Sequence, residues 1–217
     1  MTQDVKPGTR AYDNRNRSAQ ARRTRRRVVD AARRLCVRDG YAATTIQALA
    51  DEAGVSVQTV YAAFGSKLEV LRQLFDISIA GDDADVALAD RPEWRAWQSE
   101  QHVDDILASF AQANRAVCER TADVVGVVGA AADSHPEIAR MWEQAEAARY
   151  EDQRALADHL AHHELLRPDL TRQQAADIVW TLAGPGPYTD LVRRRGWRGS
   201  EYEHWLTRQL HCALCRE

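Results

Sequence analysis

The segment "TTIQALADEAGVSVQTVYAAFGSKLEVL", residues 44–71, contains two short helical patterns separated by a glycine. Thr44 and Gln47 form a capping-box pattern that predicts the start of the first helix, and Gly54 predicts its end. Ser56 predicts the N-cap of the second helix. The positions of that helix predicted to face inward are Val57, Val60 and Phe64. Two short helices joined by a tight glycine turn indicate a helix-turn-helix, which presents its second helix to a DNA major groove.

Polar residues in and before this segment have the chemistry to contact DNA. Gln58 can bond adenine, and the methyl group of Thr59 can pack on a thymine methyl. Tyr61 can donate its hydroxyl to a phosphate, and Lys67 starts a helix where free backbone N–H groups favour an anion. The predicted DNA-binding residues, including arginines of the preceding helix, are Arg22, Arg23, Arg25, Arg26, Arg27, Thr44, Thr45, Ser56, Val57, Gln58, Thr59, Tyr61 and Lys67.

The charge of the chain is unevenly distributed. Residues 1–40 hold twelve Lys/Arg and four Asp/Glu, a net charge of +8, whereas residues 41–217 carry a net charge of −11. A basic head on an acidic body indicates that only the head contacts a polyanion. No apolar run reaches the roughly 18 residues of a membrane span, and the arginine-rich N-terminus lacks a signal-peptide pattern. We therefore expect a cytoplasmic protein with no membrane partner.

Apolar residues recur at spacings of three and four along almost the whole chain, which predicts an all-α fold. The expected architecture is an N-terminal three-helix helix-turn-helix DNA-binding domain followed by a C-terminal helical ligand-binding and dimerisation domain. The predicted segments are a disordered basic arm (1–17), the helix-turn-helix domain (18–65), a connecting helix (66–81) and the regulatory and dimerisation domain (82–217). The helices predicted within the last segment are 100–119, 121–133, 136–164, 171–183, 187–195 and 199–215.

Residues 44–71 closely resemble the DNA-binding domain of the tetracycline-repressor (TetR) family of bacterial regulators. The order Thr-Ile-x-x-Leu-Ala-x-x-Ala-Gly-Val-Ser, then Val-Tyr-x-x-Phe-x-x-Lys-x-x-Leu, is specific to that family, and the resemblance covers residues 18–80. Ala62-Ala63 departs from the pattern, because a larger polar or aromatic residue often precedes the phenylalanine. The resemblance implies a homodimer that binds a palindromic operator. We expect it to act as a repressor, and activation is the alternative. The resemblance also implies that a small-molecule effector in the C-terminal body lowers the affinity for DNA.

The same resemblance places the helices between subunits at 171–183 and 199–215. Residues that can face a partner subunit are Ile178, Val179, Leu182, Trp205, Leu206, Leu210 and Leu214. The alternative is that these apolar rows pack inside one subunit, and the sequence pattern suits either interpretation.

The effector pocket is expected among the helices of residues 100–164 and the start of the dimer helices. The candidate ligand-binding residues are Phe75, Leu107, Phe110, Asn114, Val128, Met141, Trp142, Trp180 and Tyr188. Ordinary core packing is the alternative for an aromatic row. Asn114 is the polar exception on an apolar stripe, and a buried amide needs a partner. The apolar and aromatic composition favours a hydrophobic or aromatic effector.

Two other functions for this chain have weaker patterns. His159 and His163 share a helix face and can bind a transition metal, but two ligands from one helix do not complete a site. Cys212 and Cys215 have the spacing of a redox motif without the surrounding strand-helix-strand pattern. A metal- or redox-responsive regulator of the same fold is therefore one alternative, and an all-α enzyme with a DNA-binding head is another. The sequence shows no cofactor-binding or catalytic motif, so we expect no cofactor and no enzymatic activity.

Overall fold

The computed structural model describes the backbone of residues 8–84 and 86–216 and the side chains of residues 19–84 and 86–216. Every regular element within these residues is helical, as predicted. The α-helices are α1 (Gly8–Asp39), α2 (Ile46–Ala53), α3 (Val57–Phe64), α4 (Lys67–Ala80), α5 (Pro92–Arg95), α6 (Val103–Ala132), α7 (Pro136–His162), α8 (Arg172–Leu182), α9 (Pro185–Tyr188) and α10 (Gly199–Leu214). Short 3-10 turns cover Leu88–Asp90 and Ala96–Ser99, and a π-helical turn covers Thr189–Arg194.

The chain divides into two compact units, Met1–Leu74 and Phe75–Glu217. The boundary falls inside α4, within the connecting helix predicted over 66–81. The finer division into 18–65, 66–81 and 82–217 stays a prediction. Helix α1 begins at Gly8 instead of residue 18, and residues 1–7 of the predicted arm lie outside the described residues.

The first unit packs α1, α2, α3 and the start of α4 around one apolar core. Its buried side chains come from all four helices and include Val28, Ala32, Leu35, Leu49, Ala50, Val60, Phe64, Val70 and Leu71. Burial of each large aliphatic or aromatic side chain contributes about 1.5–3 kcal/mol relative to exposure. This core fixes which face of α3 points inward and which face remains exposed.

The second unit is a bundle in which α6, α7, α8 and α10 pack together. Aromatic side chains extend its core, because Trp94 and Trp97 lie 5.8 and 6.2 Å from the ring of Phe110. Helix α6 is continuous, although the sequence predicted two helices separated near residue 120. The predicted break is wrong because Val124 and Val128, one turn apart, are both buried and hold the helical register across Gly126 and Gly129.

Two arginines of the second unit organise the segment where α4 ends. The guanidinium of Arg120 donates to the carbonyls of Ser78 and Ile79 at 3.1 and 2.7 Å, which satisfies acceptors that a helix end leaves free. Arg91 donates two parallel hydrogen bonds to the carboxylate of Asp82. These bonds lower the pKa of Asp82 to about 2, so the pair stays charged through the neutral range.

Candidate nucleic-acid interface

Helices α2 and α3 each begin at a hydroxyl cap and meet at a glycine turn. The hydroxyl oxygen of Thr45 accepts from the amide of Ala48, and that of Ser56 accepts from the amide of Thr59, at 3.0 and 3.1 Å. Gly54 ends α2 in the left-handed conformation with φ of 62°. A residue with a Cβ is strained there, so glycine lets the chain reverse within three residues. The predicted cap at Ser56 and stop at Gly54 are confirmed.

The predicted role of Thr44 is wrong in two respects. The N-cap of α2 is Thr45, and Gln47 bonds Asp51 instead of completing a capping box. Thr44 is only 2% exposed, and its hydroxyl donates to the carbonyl of Gly40 at 2.9 Å. The Thr44 side chain therefore stabilises the turn before α2 and does not reach the surface where DNA would bind.

The outward face of α3 carries the residues predicted to read DNA. Gln58 is exposed, and the large side chain of Tyr61 is 51% exposed. Val57 and Thr59 are half-buried at the helix start. An exposed glutamine amide and tyrosine hydroxyl on the second helix of the helix-turn-helix have the chemistry for base and phosphate contacts.

The predicted arginines lie in the middle of α1, and one of them has a structural role. Arg22, Arg23, Arg25 and Arg26 are exposed. The guanidinium of Arg27 donates to the carbonyl of Gly54 at 3.1 Å and so joins α1 to the turn between α2 and α3. A Cβ at Gly54 would lie 2.6 Å from this guanidinium, which is closer than real Cβ contacts.

Lys67 opens α4 beside the turn that precedes α2. Its ammonium donates to the carbonyl of Tyr41 at 3.0 Å and lies 4.1 Å from the centre of the Tyr41 ring. Ser66 accepts from the amide of Glu69 and caps the same helix. The carbonyl and the ring compensate the cation at the positive end of a helix dipole. Sequence reasoning missed this contact, because 26 residues separate its two partners.

Most of the predicted ligand-binding residues are buried in the second unit. Those buried are Phe75, Leu107, Phe110, Asn114, Val128, Met141 and Tyr188. Trp142 is half-buried, with its ring 6.2 Å from that of Phe75. Trp180 is 37% exposed and lies under the guanidinium of Arg149, and its place in a pocket stays a prediction.

Asn114 has a protein partner that the sequence did not reveal. Its side-chain amide donates to the hydroxyl of Tyr202 at 3.3 Å and approaches the sulfur of Cys118 at 3.7 Å. The ring of Tyr188 stands edge-on to that of Tyr202 at 5.1 Å. Tyr202 lies four residues before Leu206, and this spacing continues down α10, a signal that could have placed it on the buried face.

The predicted dimer residues separate into two groups. Val179, Leu206, Leu210 and Leu214 are fully buried in the core of their own unit, so their assignment to a surface between subunits is wrong. Ile178, Leu182 and Trp205 are half-buried.

An open, mainly apolar groove of about 490 Å³ runs between α8 and α10. Its lining residues are Asp177, Ile178, Thr181, Leu182, Gln209, Cys212 and Ala213.

The histidines and cysteines do not assemble into a metal site within the described residues. The rings of His159 and His163 lie 4.5 Å apart, and burial together with its histidine neighbours lowers the pKa of His159. Cys212 and Cys215 are free thiols, the first exposed and the second buried. Burial raises the pKa of Cys215 to about 11, which disfavours the reactive thiolate at neutral pH.

None of the described helices is long and apolar enough to span a membrane.

No curated protein matches the sequence significantly. Residues 28–74 match the family described as bacterial regulatory proteins, tetR family.

Solved structures of similar fold cover nearly the whole chain. A TetR-family transcriptional regulator from Mesorhizobium loti is 18% identical with a TM-score of 0.69, over 90% of this chain and 98% of that one. A transcriptional regulator from Saccharomonospora viridis in complex with choline is 18% identical with a TM-score of 0.68, over 89% and 98%. The complex of triclosan with SmeT, the repressor of the Stenotrophomonas maltophilia efflux pump SmeDEF, is 16% identical with a TM-score of 0.70, over 89% and 92%.

The family match covers the two capped helices that Gly54 joins, together with the end of α1 and the start of α4. The structural similarity extends the same fold through the helical body. Residues 28–74 therefore match the tetR family of bacterial regulatory proteins, within a chain whose fold is similar to that of TetR-family transcriptional regulators.

Proposed function

We propose that this protein is a ligand-responsive, sequence-specific transcriptional repressor that binds a palindromic operator as a homodimer. The observation that carries the proposal is the arrangement of α3. Its inward residues Val60 and Phe64 anchor it in the core, while Gln58 and Tyr61 remain exposed on the helix that a helix-turn-helix presents to DNA.

The charge distribution supports DNA as the partner. The exposed arginines lie on α1 in the same unit as α3, and arginine is well suited to phosphate oxygens. Arg22, Arg23, Arg25 and Arg26, with Tyr61 and Lys67, are proposed to contact the DNA backbone. Such contacts position a protein on the duplex without reading its sequence.

The groove between α8 and α10 supports a second copy of this chain as the other partner. Ile178, Leu182 and Ala213 bring partly exposed apolar surface to two adjacent helices. Two helices from each copy would form a four-helix packing around a two-fold axis. A two-fold dimer also matches a palindromic operator, whose half-sites lie about 34–36 Å apart.

The helical body is proposed to hold a small hydrophobic or aromatic effector. The support is the aromatic and apolar character of its interior, where Phe110, Trp97 and Tyr188 are buried. Two proteins of similar fold are solved with choline and with triclosan, so this fold accommodates effectors of different chemistry. Release of DNA on binding a compound is the expected response.

The test of DNA binding is selection from a random duplex pool, followed by measurement of affinity against salt concentration. We expect a palindromic site whose log affinity falls steeply with log salt, by about 0.9 for each phosphate contacted. Binding that is indifferent to salt, or no binding to any sequence, would overturn the proposal. Apolar and aromatic compounds are then screened for loss of the complex.

The dimer is tested by light scattering on the full chain. Leu182→Glu introduces a charge into the groove between α8 and α10 and is expected to give monomers. The matched control is Ala108→Glu, at an exposed position of α6, which is expected to leave the dimer intact. A Leu182→Glu protein that remains dimeric would show that another surface joins the subunits.

A further inference from the structure

The exposed face of α3 is centred on a methyl group. Val60 is fully buried and defines the inward direction of the helix. Successive residues of an α-helix are about 100° apart, so Ala62, two residues later, lies roughly opposite Val60. Ala62 is exposed, and Gln58 lies one turn before it on the same face. A base pair that faces the middle of α3 would therefore meet the alanine methyl group.

The hydroxyl of Thr59 is already engaged within the protein. Its oxygen lies 2.8 Å from the hydroxyl oxygen of Ser56, which also accepts from the Thr59 amide. This contact makes the Thr59 hydroxyl part of the cap of α3, although the hydroxyl keeps further hydrogen-bonding capacity. Thr59 also carries a γ-methyl group, and it is a half-buried residue three positions before Ala62, so the two residues are neighbours on the helix surface.

The centre of the outward face of α3 thus has two neighbouring methyl groups and one exposed side-chain amide, with the exposed Tyr61 at its flank. In the major groove only thymine presents a methyl group, whereas cytosine presents an amino donor at the neighbouring ring position. A methyl surface placed against cytosine or guanine would remove water from their polar groups without replacing the lost hydrogen bonds. The amide of Gln58 can donate to and accept from one adenine.

We propose that α3 selects its operator mainly through the 5-methyl groups of thymines, contacted by Ala62 and Thr59, with Gln58 bonding an adjacent adenine. The proposal rests on the proposed function as a DNA-binding regulator. It adds the chemistry of the half-site, which would contain adjacent A·T pairs. The protein would recognise these pairs by contact with methyl groups more than by hydrogen bonds.

Deoxyuridine gives a direct test, because it lacks only the thymine methyl group and keeps every hydrogen-bonding group. Thymines in the selected operator are replaced one at a time by deoxyuridine, and affinity is measured for the full-length protein. We expect at least two positions in each half-site where affinity falls about three- to five-fold for the loss of one methyl. Thymines outside these positions serve as controls.

Two substitutions at one residue separate the methyl group from the hydroxyl. Thr59→Val keeps a γ-methyl and is expected to keep the preference for thymine over deoxyuridine at its position. Thr59→Ser keeps the hydroxyl bond to Ser56 and is expected to lose that preference. Thermal unfolding of both variants shows whether either change disturbs the helix cap. Ala62→Gly is expected to remove the preference at the second position.

The outcomes distinguish this inference from the proposed function. Selective binding with equal affinity for thymine and deoxyuridine at every position would overturn the proposed recognition of thymine methyl groups. The proposed function as a DNA-binding regulator would be unaffected. A preference that survives in Thr59→Ser and disappears in Thr59→Val would also overturn the proposed recognition, because the hydroxyl would then read the base. No binding to any sequence in the pool would overturn both.

Discussion

The ammonium of Lys67 lies 3.0 Å from the carbonyl oxygen of Tyr41 and 4.1 Å from the centre of its ring. The first residue of α4 therefore holds the turn that leads into α2. One of the three ammonium protons is used by the carbonyl, so the group can still donate to a phosphate. Lys67 is thus expected to act on both stability and DNA affinity.

Replacing Lys67 by Met should reveal both roles. We expect the free energy of unfolding to fall by roughly 1–2 kcal/mol, because a charged hydrogen bond and a cation–π contact are lost. The salt slope of DNA binding should fall by about one unit, equally on all sequences. The control is Arg72→Met on the same helix, whose ion pair with Glu69 is exposed. Unchanged denaturant midpoints for Lys67→Met would show that the Tyr41 contact adds no stability.

Neighbouring arginines on α1 should differ in what they contribute. Arg27→Ala removes the donor to the Gly54 carbonyl and is expected to lower the free energy of unfolding by about 1–2 kcal/mol. Arg26→Ala changes an exposed residue and should leave stability within about 0.5 kcal/mol while lowering the salt slope by about one. Denaturant unfolding and salt-dependent gel shifts measure the two effects. Equal losses of stability in both variants would contradict the assignment.

The buried Asn114–Tyr202 pair should behave as a unit. Tyr202→Phe leaves the Asn114 amide with only the sulfur of Cys118 within reach and is expected to cost about 1–3 kcal/mol. Asn114→Leu added to that variant should recover part of the loss, because no buried amide then lacks a partner. Tyr150→Phe, which removes a hydroxyl from a more accessible bond to Asp177, is the control. A fully additive double variant would mean that the two side chains do not depend on each other.

Acid should weaken the second unit through His159. Burial, then the nearby His163 and His162, lower the pKa of His159, so the unfolded chain binds the proton more readily than the folded chain. The stability contributed by the neutral ring is fully present above the unfolded pKa of about 6.5 and is lost as pH falls toward the lowered folded value. His159→Gln should flatten the decline in unfolding free energy between about pH 7 and 5. The exposed His102→Gln variant should decline like the parent chain, and an unchanged decline in His159→Gln would exclude this origin.

The helix-turn-helix could be predicted because its signals are local. Ser56 caps the helix it precedes, and Gly54 adopts the conformation that its lack of a Cβ allows. The exchange of Thr45 for Thr44 at the cap of α2 has its cause in the turn that precedes the helix. Two adjacent threonines look equivalent in sequence, and the carbonyl of Gly40 decides which one is buried.

The surfaces of the helical body could not be predicted to the same depth. A row of leucines on α10 has the same spacing whether it faces its own core or a second subunit, and Leu206, Leu210 and Leu214 face their own core. The stacking of Trp180 under Arg149 likewise joins residues of two different helices. Both the burial of the leucines and the contact of Trp180 depend on which helices lie next to each other. The apolar period of a single helix carries no information on its neighbours.

The close approach of Arg27 to Gly54 restricts how this turn can change during evolution. A Cβ at position 54 would lie 2.6 Å from the terminal nitrogen of Arg27, a flexible side chain that would have to move and lose its bond to the Gly54 carbonyl, and the left-handed backbone would be strained as well. Shortening Arg27 removes the close contact and leaves the backbone strain, so it does not restore a replaced glycine. In a library of variants, position 54 should remain glycine even where position 27 varies freely.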